Sequence, residues 1–275
     1  MTPRTVEADG CRLAYWVAGS GPPVLFVQGV GAQGAAWTPQ TDALAGRFTC
    51  VWFDNRGMGR SQPAGGPFTV ERMAADARAV LDAAGVGPAH VVGHSLGGLV
   101  SLALALANPD RVWSLALLCT FADGRAVAPL TPRMIWLGLG TVVGPRRSRR
   151  RAFLRLVLPP DAYAACDPDA RAAELADLFG HDLADQPPVA KDQLLAMRGF
   201  DATPRLGELA GVPTLVASAA HDLIAPPALG RAVAAGIPGA VFEEHADAAH
   251  GLPLQHPARV NARLADHFTR ADGRR

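Results

Sequence analysis

Gly93-His94-Ser95-Leu96-Gly97-Gly98 stands at the junction of a short apolar run, residues 90–93, and a longer one, residues 96–107. The first is too short for anything but a buried strand. The second is apolar nearly all round and runs into Asn108-Pro109, so it reads as a helix buried against a sheet and stopped before the proline. A serine between glycines at such a junction needs a turn so sharp that the residues two before and two after it pack on each other. Only glycine or a very small residue fits there. The turn lifts the hydroxyl above the sheet at the helix N-terminus, where the Leu96 N–H and the helix dipole meet a developing negative charge. With seven serines and 29 glycines in the chain, roughly 0.1 chance matches to this spacing are expected, so the strand-to-helix context carries the assignment of Ser95 as a nucleophile.

Outward from this turn, short apolar runs and helical spacings alternate. Residues 12–17, 24–27 and 50–53 read as strands, the first two bracketing a turn at 19–23. Residues 71–84 place Met73, Ala77, Val80, Leu81 and Ala84 at helical spacing and end at Gly85. Residues 112–119 are again a continuous apolar run. From residue 123 to about 204 the pattern breaks into prolines, a basic run and helix-like segments. Alternation then resumes with a strand at 213–219, a helix at 226–235, a strand at 240–245 and a terminal helix at 257–269. Buried strands alternating with helices predict an α/β fold with a mostly parallel central sheet, its core formed by 1–122 and 205–275 and interrupted by an insertion at 123–204.

The composition suits that size of core: of 275 residues, 49% are hydrophobic and 19% charged, too apolar for disorder. Lys plus Arg (26) nearly cancel Asp plus Glu (25), so no global field draws the chain to nucleic acid or an anionic membrane, and a small neutral molecule is the expected partner. Cys11, Cys50, Cys119 and Cys166 form no C-x-x-C pair, and three lie in apolar runs, which predicts reduced thiols and a cytoplasmic setting. Residues 1–10 lack the apolar stretch of a secretory signal. The most membrane-like run, residues 134–143, is about ten residues, half of the roughly 20 a spanning helix needs.

Three further motifs accompany the serine turn in chain order: Gln28-Gly29-Val30-Gly31 after the strand at 24–27, Asp54-Asn55-Arg56-Gly57-Met58-Gly59-Arg60-Ser61 after the strand at 50–53, and Asp222 followed by His250-Gly251. With these the chain resembles lid-bearing α/β-hydrolase fold enzymes, a group that includes small esterases, lactonases, carbon-carbon bond hydrolases and cofactor-free haloperoxidases. The likeness runs from about residue 12 to 268, and the insertion is its divergent part. It implies Ser95 as nucleophile, His250 as general base and Asp222 as the acid that orients the base, in the chain order Ser, Asp, His. Asp123, at the end of an earlier strand, is the rival acid. The resemblance places the oxyanion donors at the backbone N–H groups of Leu96 and Val30. Relatives commonly carry His-Gly where this chain has Gln28-Gly29, a change of side chain that leaves a backbone donor in place. Asp54 and Arg56 are expected to tie loops together rather than to take part in chemistry.

Within the insertion, Trp136, Leu137 and Leu139 are the residues expected to face the substrate, supported by Met134, Ile135, Val142 and Val143 and by the apolar residues of 153–158. The arginines at 146, 147, 149, 150 and 151 read as a solvated face. The implied chemistry is cleavage of a carboxylic ester or lactone of a small, largely apolar molecule, with neither metal nor organic cofactor. Carbon-carbon hydrolysis and a perhydrolase or haloperoxidase activity share the same residues, and a receptor that turns its ligand over slowly or not at all is the alternative from another class.

Overall fold

The computed structural model of the chain describes residues 1–126 and 132–273, with the side chains of all of these but 132–134. Met134, one of the apolar residues named in the insertion, lies outside the described side chains. Strands β1 (Arg4–Ala8), β2 (Cys11–Ala18), β3 (Pro23–Val27), β4 (Thr49–Phe53), β5 (Ala89–His94), β6 (Val112–Leu118), β7 (Thr214–Ala219) and β8 (Val241–His245) form one sheet in the order β1-β2-β4-β3-β5-β6-β7-β8. β1 and β2 run antiparallel to their neighbours, and every pairing from β4 to β8 is parallel. β5, which carries the serine turn at its end, is thereby held near the middle of the sheet between β3 and β6.

β1 was not among the strands read from sequence. Thr5 and Glu7 face solvent, and only Val6 and Ala8 are half-buried, so the run lacks a clear apolar alternation. Its signal was the turn: Asp9 and Gly10 both take positive φ (44° and 75°), the geometry for which Asp-Gly is favoured in a two-residue hairpin.

Helices α1 (Thr38–Leu44), α2 (Val70–Ala83), α3 (Leu96–Ala107), α4 (Pro132–Val142), α5 (Arg146–Val157), α6 (Pro160–Ala165), α7 (Pro168–Phe179), α8 (Ala190–Arg198), α9 (Pro227–Gly236), α10 (Leu252–Gln255) and α11 (Pro257–Asp272) complete the fold. Successive strand residues point to opposite layers. Leu25 and Val27 pack with α2, α3 and α9 on one face, while Val24 and Phe26 pack with Trp37, α1 and α11 on the other. Behind β4, Asp54 accepts the N–H groups of Gly34 (2.8 Å) and Arg60 (2.9 Å), and the fully buried Arg56 makes a two-pronged ion pair with Asp76. This is the loop-tying role expected of Asp54 and Arg56.

Helices α4 to α8 lie between β6 and β7. Leu154, Val157, Ala172, Leu175 and Leu183 give them a small core of their own. The basic run is not simply solvated, because its guanidiniums meet carboxylates of the same segment: Arg147 and Arg151 reach Asp169, Arg146 reaches Asp182 and Asp185, and Arg150 donates to Asp182 from Nε at 2.8 Å. Hydrogen bonds from Arg150, reinforced by the Ala184 N–H and Arg146, hold the Asp182 carboxyl well below the usual carboxylate range. A carboxyl depressed in the folded state adds stability that is fully present above its unfolded value, near pH 4, and is lost as the pH falls toward the folded one. Asp182→Asn is therefore expected to cost about 1 kcal/mol near neutrality, since the pairs are partly exposed, or about 2–4 °C in Tm. Thermal melts should show the gap between variant and wild type closing on acidification below about pH 4; a gap independent of pH would sink the ion-pair account.

Candidate active site

At the end of β5 the chain turns within one residue into α3. Ser95 takes φ 54° and ψ −121°, a conformation that costs on the order of 1–3 kcal/mol for a residue with a Cβ and survives only where its surroundings enforce it. Here they do. The Ser95 N–H donates to the Leu118 carbonyl of β6 at 3.0 Å, and the Ser95 carbonyl accepts from Thr120 Oγ1 at 2.7 Å and from the Gly98 N–H at 2.8 Å. A Cβ on Gly93 would run into the Gly97 carbonyl, one on Gly97 into the Val27 carbonyl of β3, and one on Gly98 into the Thr120 side chain. All three glycines of the turn are sterically required.

Asp222 follows β7 and is almost fully buried. Its Oδ1 accepts the N–H groups of Ile224 and Ala225, both at 2.8 Å, which leaves Oδ2 to accept from His250 Nδ1 at 2.8 Å. The imidazole thus carries its proton on Nδ1, and Nε2 keeps a free lone pair. His250 lies in the loop after β8, anchored by the Gly251 N–H donating to the Val157 carbonyl at 3.0 Å. The rival acid is elsewhere: Asp123 accepts the Arg125 N–H at 2.8 Å and pairs with the Arg125 side chain.

Ser95, His250 and Val30 line a common cavity of about 270 Å³. Gly29 packs so closely under it that a Cβ there would stand 3.2 Å from the Ser95 Cβ. The N–H groups of Val30 and Leu96 have no hydrogen-bond partner among the described residues. The inserted helices supply apolar walls, including Phe153, Leu156, Leu175, Phe179 and Leu194. The residues expected to face substrate are not among them. Trp136 is 68% and Leu139 55% exposed, Leu137 is buried away from the cavity, and α4 contributes Thr141 instead. The error has a plain cause: α4 and the residue after it are apolar on several sides, with Ile135, Trp136, Leu139, Val142 and Val143 all turned to solvent, so helical spacing did not single out the inward face.

Two polar residues of the cavity, His94 and Gln28, stand in the quoted motifs with no role assigned to their side chains. His94 donates from Nε2 to the His250 main-chain carbonyl at 2.8 Å, its ring 4.9 Å from that of His250. Burial first, then the neighbouring imidazole, push His94 down to about 3, so it stays neutral and keeps this bond. Its signal was its place inside the serine motif. Gln28 folds back so that its Oε1 accepts the Gly29 N–H at 2.9 Å, while its main-chain carbonyl accepts from Asn55 Nδ2 at 3.1 Å.

The sequence model of a family described as alpha/beta hydrolase fold matches residues 22–257. RutD of Azorhizobium caulinodans, named as a candidate carbamate hydrolase, is 34% identical over 259 residues, which cover 92% of this chain and 93% of that protein. Among solved structures, the enol-lactonase of Burkholderia xenovorans LB400 superposes with a TM-score of 0.81 at 26% identity, covering 97% of this chain and 100% of that one. A thermophilic esterase of Thermogutta terrifontis does so with a TM-score of 0.77 at 26% identity, covering 98% and 99%.

Proposed function

The chain belongs to the alpha/beta hydrolase fold family, and from that premise we propose that it is a serine hydrolase cleaving a carboxylic ester or lactone of a small, largely apolar substrate. The observation that carries this reading is the His250–Asp222 bond beside a strained Ser95 in one apolar cavity. His250 Nε2 takes the Ser95 proton as Oγ attacks the substrate carbonyl. The tetrahedral oxyanion accepts from the N–H groups of Leu96 and Val30. His250 returns the proton to the leaving oxygen, and an acyl-Ser95 ester remains. Water, deprotonated by His250, then attacks that ester and releases the acid. In this reading residues 123–204 act as a lid whose walls receive the acyl chain. The free thiols of Cys11, Cys50 and Cys119, all buried, fit a reducing compartment such as the cytoplasm. No helix among the described residues is long and apolar enough to cross a membrane.

A carbamate is the second reading, favoured by the likeness to RutD. The apolar walls support the ester, because a hydrocarbon chain gains free energy there and a small polar carbamate does not. Chromogenic esters of graded length and lactones, assayed beside a carbamate, decide between the two. Trimming one wall, Leu156→Ala, should shift the preferred acyl chain longer by one or two carbons and change relative rates roughly tenfold, as about 1–3 kcal/mol per methylene implies. A uniform loss across all esters would show that Leu156 does not touch the acyl group.

A further inference from the structure

The loop that carries Val30 is held from above by the inserted segment. The Gly31 N–H donates to Gln193 Oε1 of α8 at 2.9 Å, in a buried contact between residues 162 positions apart. The Gly31 carbonyl stands 2.7 Å from His181 Nε2, while Nδ1 of the same ring stands 2.9 Å from the Asp182 carbonyl, so a neutral ring donates to one of the two at a time. Two residues on, the Gln33 N–H donates to the Phe179 carbonyl at 3.3 Å and Gln33 Nε2 to the Gly180 carbonyl at 3.2 Å. On the other side, the Gln28–Gly29 peptide is tied at both ends, by the Gly29 N–H to Gln28 Oε1 and by the Gln28 carbonyl to Asn55. Between these fixed units lies the Gly29–Val30 peptide, whose N–H has no partner among the described residues and whose glycine packs against Ser95.

We propose that Gln193, assisted by His181, is a positioning residue for the oxyanion hole: by holding the Val30–Gly31 peptide from the inserted segment it fixes the direction of the Val30 N–H. The proposal rests on the hydrolase reading above. Gln193 is fully buried, and its Nε2 has no hydrogen-bond partner among the described residues. An apolar residue of similar size would avoid that destabilising orphan donor, so packing alone does not account for a glutamine here. Gly31 needs the contact because it sits at φ 70°, in a conformation that glycine leaves easily. Pro187 and Ala190 lie 3.8 and 4.0 Å from where its Cβ would be, so the inserted segment faces this peptide closely as well as bonding to it.

The consequence is that the insertion acts on the chemical step as well as on substrate fit. Gln193→Met keeps the volume and removes the acceptor. It should lower kcat on a short chromogenic ester roughly ten- to a hundredfold, less than the loss of an oxyanion donor outright, with KM changed less than about threefold. Butylboronic acid, which forms a tetrahedral adduct on the serine, should bind more weakly by the same factor as kcat falls, a coupling that a merely structural role would not produce. His181→Phe, at a half-buried site, should show the same pattern more weakly and serves should Gln193→Met fail to fold. Folded variants with wild-type kcat and boronate affinity, or with the loss confined to KM, overturn the assignment alone. A wild-type protein that neither turns over any ester nor binds boronate overturns the hydrolase reading and the assignment with it.

Discussion

Ser95→Ala is expected to abolish turnover, with a loss on the order of a millionfold in kcat, because an alkyl side chain has no proton to give His250 and no lone pair for the carbonyl. The fold should survive. The turn is held by main-chain bonds to Leu118, Thr120 and Gly98 and by the three glycines, none of which involves the Ser95 hydroxyl. The variant should also keep its affinity for a slow substrate or product, since the cavity walls are untouched. Turnover on the best ester of the panel, with calorimetric binding and a thermal melt on the same preparation, tests all three points. Retention of more than a few per cent of the wild-type rate would remove Ser95 from the nucleophile role. A wild type already as slow as the variant, binding normally, would favour the receptor alternative.

How much of this site is legible in the sequence depends on whether a residue's constraint is local. Gly93 announces the turn because the conflict it relieves, with the Gly97 carbonyl, lies within the turn, whereas Gly97 and Gly98 relieve conflicts with Val27 and Thr120 on other segments and are legible only through the motif. Asp222 and His250 come from the family resemblance, whose chain order places each of them after a recognisable strand. His94 could have been suspected from its place in the motif, yet its hydrogen bond reaches a carbonyl 156 residues away, which no local pattern encodes. The same holds for Gln193, an unremarked polar residue on a short helix until α8 is folded over Gly31. Trp136 shows the opposite failure. It was the most conspicuous apolar residue of the insertion and faces solvent, because size and hydrophobicity say that a residue gains by burial without saying which neighbour buries it.

Asp222→Asn should cripple the enzyme by about 10⁴ in rate, and the hydrogen bonds around Asp222 explain why a change of one atom does so much. Oδ1 accepts two N–H groups, from Ile224 and Ala225, and Oδ2 accepts the third, from His250. In asparagine only one of these atoms remains an acceptor. Two backbone donors outweigh one, so the amide oxygen takes the Oδ1 place and the NH₂ group faces His250. Nδ1 must then accept, its proton moves to Nε2, and the nitrogen that should deprotonate Ser95 arrives already protonated. The Ile224 and Ala225 N–H groups and His250 Nδ1 each keep a partner in this arrangement, so the variant should fold with a Tm within a few degrees of wild type and lose activity all the same. Asp123→Asn is the control: Asp123 touches Arg125 and lies in a short bridge with Asp201, so that variant should keep most of its rate. Both would be assayed on the same ester after melts show them folded. Reversed results would move the acid to the end of β6, and two active variants would mean that something other than a carboxylate sets the tautomer of His250.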